Sequence, residues 1–139
     1  MGYRSQVAFA ICGKKEDVIP VLMTLRLEGS AATKEALNDL SASEHDGWLT
    51  LSFYAESVKW YDGYADVDAL KAIYEKFKDE ENADERRRFD GAFVRVGEDD
   101  NDIETDYWGD DPYSLVSLNR AVSLEVPYGK EYPLSAVLT

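Results

Sequence analysis

The chain has 139 residues and a mass of 15.7 kDa, enough to bury about two-thirds of its surface in one domain. It carries 28 acids against 15 bases, a net charge of −13. That excludes a nucleic-acid binder working through a broadly basic surface and disfavours docking on anionic lipid.

One cysteine, Cys12, leaves no intrachain disulfide framework, and a reduced, intracellular setting is the simplest expectation. No apolar run approaches the roughly 20 residues of a membrane span. The first residues lack the basic and apolar regions of a signal peptide. Gln6 stands where a myristoylation site needs Ser or Thr, so that pattern is rejected.

Gln6 to Cys12 predicts a strand. Val7, Phe9 and Ile11 share one face, and the small Ala8, Ala10 and Cys12 share the other. Both faces are apolar, which predicts a central strand with a close neighbour over its small-residue side. A helix follows, with Asp17 as N-cap and Pro20 in the first turn. Val18, Ile19, Leu22, Met23 and Leu25 form its expected buried stripe, and Gly29 its stop. Thr33 to Leu40 predicts a short second helical piece with Thr33 capping.

Trp48 to Ala55 alternates with odd positions apolar, but Val58 and Trp60 are even. A bulge near Glu56–Ser57 would return both segments to one face. Asp66 caps the next helix, whose Val67, Leu70, Ile73, Tyr74 and Phe77 follow helical spacing. Asp79 to Arg88 reads as a charged connector. Phe89 to Val96 is the third strand, with Ala92, Val94 and Val96 on one face, and Ile103 to Trp108 is the next. After the turn Gly109-Asp110-Asp111-Pro112, Leu115 to Val126 predicts a last long strand, in which Arg120 interrupts an apolar face. Residues 127–139 are read as an irregular tail.

Strand, helix, strand, helix and three strands predict a single α+β domain over residues 1–139. The expected architecture is a mostly antiparallel sheet with two helices on one face, a relative of the split βαβ or ferredoxin-like fold.

Residues 1–47 carry seven acids and five bases, residues 48–96 eleven and eight, and residues 97–139 ten and two. The imbalance is therefore concentrated late. Glu98, Asp99, Asp100, Asp102, Glu104, Asp106, Asp110 and Asp111 fall within 14 positions with no base among them. In an extended ribbon Glu98, Asp100, Asp102, Glu104 and Asp106 point to one side about 6–7 Å apart, close to the phosphate spacing of an extended nucleic-acid strand. Tyr107, Trp108 and Tyr113 border the run. Three readings fit it: a solvated, solubilising hairpin, a surface for a basic partner protein, or a weak hard-cation site. A calcium loop counted from Asp100 meets Thr105 where glycine belongs, so the metal signal is poor and no metal site is assigned.

Little points to catalysis. His45, the only histidine, sits in a polar stretch beside Asp46–Gly47. Cys12 reads as small core filling rather than a nucleophile. There is no Gly-x-Ser-x-Gly elbow and no phosphate-cradling glycine loop. Acids are too numerous for any pair to stand out as an acid–base couple. Trp60, Tyr61 and Tyr64 cluster at a strand end, either covering the core or forming an aromatic patch for a partner.

The opening Met-Gly-Tyr-Arg-Ser-Gln-Val-Ala, the central Val58-Lys59-Trp60-Tyr61, and the run from Phe93 to Glu104 together resemble a group of small, acidic, uncharacterised phage and prophage proteins beginning Met-Gly-Tyr-Arg-Ser-x-Val. The resemblance spans most of the chain and implies a phage or bacterial origin and a cytoplasmic location. It brings no activity and no functional residue. By analogy, small acidic phage proteins include inhibitors that imitate nucleic acid.

The expected function is a non-enzymatic protein that binds a basic host or phage protein. Its expected partner-binding residues are Glu98, Asp99, Asp100, Asp102, Glu104, Asp106, Tyr107, Trp108, Asp110 and Asp111, with Trp60 and Tyr61. No cofactor, direct nucleic-acid contact or membrane contact is expected. The alternatives are a small carboxylate-based or metal-dependent enzyme, and a structural or assembly factor whose acidity is incidental.

Overall fold

Alternation of large and small side chains at the N-terminus builds the centre of the molecule. A computed structural model describes residues 2–83, 89–99, 101–110, 112, 115–118, 122–124 and 131–138 (the described residues). β1 (Ser5–Lys14) lies between β3 (Trp48–Val58) and β4 (Phe89–Val96), antiparallel to both. The hairpin β2 (Ser41–His45) extends the sheet beyond β3, and β5 (Ile103–Trp108) extends it beyond β4. With β8 (Glu131–Pro133) the order is β5-β4-β1-β3-β2-β8. In the middle four strands, β4-β1-β3-β2, helices connect β1 to β2 and β3 to β4 while a tight turn connects β2 to β3, the expected split βαβ pattern, so the chain is an α+β domain.

The large side of β1 faces the helices. Phe9 is paired with Phe53 on one side and Phe93 on the other, and all three rings share the helical face. Against them pack Val18, Val21 and Leu22 of α1 (Lys15–Glu28) and Ala36 and Leu37 of α2 (Ala31–Asn38). α3 (Ala65–Ala83) adds Val67, Leu70, Ile73, Tyr74 and Phe77. Each such side chain fully buried contributes about 1.5–3 kcal/mol. On the opposite face Ala8, Ala10, Cys12, Ala92 and Val94 meet Leu115 and Val116. The small side chains there admit a second layer, the hairpin of β6 (Val116–Leu118) and β7 (Val122–Leu124). Burial pushes the Cys12 thiol up, away from nucleophilic character.

The change of parity in β3 is a bulge. Val7 pairs with Ala55, but Ser5 pairs with Val58, so three steps along β3 match two along β1. The extra residue falls at Glu56–Ser57, as expected. Asp46 and Gly47, both with positive φ (49° and 82°), turn β2 into β3.

Several local expectations are corrected. α1 begins at Lys15, so Asp17 lies in its first turn rather than capping it, and Pro20 lies inside the helix. Pro20 deprives only the carbonyl of the exposed Glu16 of a partner, close enough to the helix start to be tolerated. Val21 is buried where Met23, 37% exposed, was expected. Ser30, not Thr33, caps α2, its hydroxyl accepting from the Thr33 amide at 3.2 Å. There are three helices on the inner face rather than two. α3 continues to Ala83, so Asp79–Glu81 are helical, with Glu80 held 3.1 Å from Lys76 one turn away. The expected last strand is the β6–β7 hairpin, in which Leu118 pairs with Val122. Arg120 lies outside the described residues. Part of the expected tail is structured: β8 pairs with β2, and a 3₁₀ turn, Leu134–Ala136, buries Leu134 completely. Phe53 and Val96 are half-buried, and Val96 is the last residue of β4.

Candidate functional site

The acidic run is divided by the turn from β4 into β5. Gly97 N–H donates to the Asp102 carbonyl at 2.8 Å, and Asp102 N–H donates to that of Asp99 at 3.0 Å. Glu98 and Asp99 therefore sit on the turn, and only Glu104 and Asp106 of the alternating acids lie on β5 itself. Asp100, Asp111 and Tyr113 lie outside the described residues. A single straight row of five carboxylates is not what forms, because hairpin closure redirects the chain before Ile103.

Asp102 is folded back into a network. Arg95 grips it with two donors, Nη2 to Oδ1 at 2.7 Å and Nη1 to Oδ2 at 3.1 Å. The Tyr3 hydroxyl donates to the same Oδ2 at 2.7 Å and accepts from the Asp99 amide at 3.0 Å. These donors, Arg95 first, hold the Asp102 carboxyl down to about 2. The bond to Asp102 in turn raises Tyr3. Arg95 Nη1 also reaches Ser5 Oγ at 3.1 Å, so the network pins the turn to the start of β1.

Asp106 is also engaged. It accepts from the Tyr74 hydroxyl at 3.0 Å and from Lys78 at 3.2 Å, both on α3. Burial, reinforced by Asp106, raises Tyr74, which stays a neutral donor. Glu104 lies directly opposite Arg95 across the β4–β5 ladder, its carboxylate 3.6 Å from Arg95 Nε and half exposed. Glu98 accepts from the Arg4 amide at 2.8 Å, and the Asp110 amide donates to Asp90 at 2.7 Å. Glu98, Asp99, Glu104 and Asp110 all remain exposed.

The aromatic residues divide differently from expectation. Trp60 is buried between Phe53 and Phe93, with ring centroids at 6.1 and 6.0 Å, so it is core wall and not an exposed patch. Tyr61 is half-buried edge-on against Tyr64, and Tyr64 is the exposed ring of that cluster. Trp108 packs over Gly91 and edge-on to Tyr74, fastening β5 to the helical layer. Tyr107 points to the other side, toward the β6–β7 layer.

Sequence reasoning missed Arg95, Tyr3, Tyr74 and Lys78, the side chains that neutralise or tether half of the acidic run. For Arg95 a signal existed: it shares odd parity with Phe89 and Phe93, opposite the apolar face of Ala92, Val94 and Val96. Among the described residues no group of three or more His, Cys, Asp or Glu is placed to hold a metal ion. No described helix is long and apolar enough to cross a membrane. His45 ends β2, with Nε2 3.1 Å from Asp46.

No family model matches the sequence, no curated protein matches it, and no solved structure matches the fold.

Proposed function

We propose that the chain is a non-enzymatic binding protein whose acidic sheet edge engages a basic partner protein, in the manner of an inhibitor that imitates nucleic acid. A phage or prophage origin and a cytoplasmic site of action accompany this reading. The observation that carries it is the exposure of Glu98 and Asp99 on the β4–β5 turn, Glu104 on the edge strand β5 and Asp110 just past its other end, within a third of the chain that holds ten acids and two bases. Asp102 and Asp106 brace that edge rather than present charge. Acid on an edge strand also repels a second copy of itself, so the edge is closed to self-pairing while it attracts cations.

The test is a variant with Glu98→Gln, Asp99→Asn, Glu104→Gln and Asp110→Asn, which keeps shape and removes four charges. Capture of basic proteins from bacterial lysate should fall strongly relative to the unaltered chain. Capture by the unaltered chain should also weaken as salt shortens the Debye length from about 10 Å at 0.1 M to about 3 Å at 1 M. Asp79→Asn, Glu80→Gln and Glu81→Gln on α3 serve as control. An equal loss in the control would mean that net charge alone acts, and unchanged capture by the edge variant would remove the proposal.

A further inference from the structure

Between α3 and the β4–β5 edge lies a cavity of about 280 Å³. Its inner wall is aromatic: Phe9, Trp60, Tyr74 and Phe93. These rings brace one another, with centroids of Tyr74 at 5.5 Å from Phe9 and 5.9 Å from Phe93, and Trp60 at 6.0 Å from Phe93. The Tyr74 hydroxyl already donates to Asp106. Trp60 is only 9% exposed, and among the described residues its indole N–H meets no acceptor. An indole nitrogen can only donate. Burying a donor without a partner is costly, and folded chains rarely do it. The wall therefore lacks one acceptor, which a guest can supply.

The mouth carries both signs of charge, already matched to one another. Lys71 and Lys78 line it, Lys71 paired with Asp62 and Lys78 with Asp106. The Glu104 carboxylate lies 3.6 Å from Arg95. An anion would have to draw a lysine away from its acid, against the field of a chain with net charge −13. A cation would meet the two lysines and bring no acceptor for Trp60. A hydrocarbon would leave the indole N–H unpaired. An uncharged guest with an acceptor meets none of these objections. The rim adds the Glu75 carboxylate and the Thr105 hydroxyl, both on exposed residues, which accept from donors that the guest carries. An amide joins a strong acceptor to N–H donors without any charge.

We propose that this cavity binds a compact, uncharged aromatic amide whose carbonyl accepts from the Trp60 indole N–H. The guest's ring packs on the aromatic wall, where offset and edge-on contacts are favoured. Its N–H groups face the acceptors of the rim. The volume lies just under the usual range for drug-sized ligands, about 300–1,000 Å³, so the guest is small. This site is separate from the partner reading of the sheet edge and requires no partner protein.

The experiment uses the whole chain labelled with ¹⁵N, at pH 7 and fixed ionic strength, titrated in turn with benzamide, benzoate and benzamidinium. The three probes share one shape and differ in charge and in acceptors. The indole N–H resonance of Trp60, assigned through its contacts with the Phe53 and Phe93 rings, reports the cavity wall. Trp48, 42% exposed and at the first residue of β3, is the internal reference. Benzamide should move the Trp60 indole proton downfield and saturably, with half-saturation at about 1 mM, and leave Trp48 unmoved. Benzoate, repelled by the acidic chain, and benzamidinium, which has no acceptor, should each bind at least about tenfold more weakly. Trp60→Phe keeps an aromatic wall but removes the donor, and should weaken benzamide about tenfold, read from broadening of benzamide's own resonances. Any of three results overturns the proposal: no saturable Trp60 shift with benzamide, either charged probe binding as tightly as benzamide, or undiminished binding in Trp60→Phe. The probe comparison needs no variant and stands even if Trp60→Phe disturbs folding.

Discussion

Gly91 and Trp108 face each other across the β4–β5 ladder, and the structure makes their substitutions depend on one another. Gly91 has ordinary extended backbone, so alanine is allowed there conformationally, and alanine in a strand is favoured over glycine by about 0.5–1 kcal/mol. The obstacle is steric: the nearest atoms to a Cβ built at Gly91 are Cε2, Cζ2 and Nε1 of the Trp108 indole. Overpacking of this kind costs about 1–3 kcal/mol, so Gly91→Ala alone should destabilise by about 0.5–2 kcal/mol. Trp108 is half-buried and edge-on to Tyr74 at 5.8 Å. Trp108→Ala should therefore cost about 2 kcal/mol, roughly half of a fully buried tryptophan. Once the indole is gone, Gly91→Ala should change sign and stabilise by about 0.5–1 kcal/mol. The coupling energy is then about 1–3 kcal/mol. Equilibrium urea unfolding of the four proteins of the cycle, followed by far-ultraviolet circular dichroism, measures it. Additive effects, or Gly91→Ala stabilising in both backgrounds, would refute the placement of Trp108 over β4 and with it the anchoring of the acidic edge.

Two further outcomes test the ends of the sheet. The Asp102 carboxyl is held at about 2, below its value of about 3.9 in an unfolded chain, so its native contribution is complete above about pH 4 and lost as pH falls toward about 2. The difference in urea midpoint between the unaltered chain and Asp102→Asn should be constant near neutrality and shrink across that acid window; a difference that persists undiminished at low pH would show that Arg95 and Tyr3 do not stabilise the charged form. At the other edge, Leu134 is fully buried and its amide donates to the Leu40 carbonyl at 3.0 Å. Leu134→Ala should cost about 2–5 kcal/mol in the same unfolding assay, and a negligible cost would mean that β8 and the 3₁₀ turn are not part of the cooperative fold.

Much of the element map was legible because period-two and helical patterns are local properties of a chain. The limits of β4 and β5 follow from alternation alone, and the parity change from Phe53 to Val58 located the bulge. The small-residue face of β1 announced the second layer, although not that a hairpin would supply it. The misreadings share a cause. Asp17 is a good cap in isolation, but hairpin contact at Gly47, whose carbonyl accepts from the Lys15 amide at 2.8 Å, starts α1 earlier. Glu131-Tyr132-Pro133 carries no strand pattern and becomes a strand only because β2 offers an edge to pair with.

By itself the sequence determined the α+β class, the central place of β1, the bulge, and the surplus of acid late in the chain. Which of those acids remain available to a partner was decided only in three dimensions. Tyr3 reaches Asp102 from 99 positions away, and Lys78 reaches Asp106 from 28. A carboxylate's field depends on the cations and donors around it, and those are brought together by strand pairing and helix packing rather than by neighbourhood in the chain.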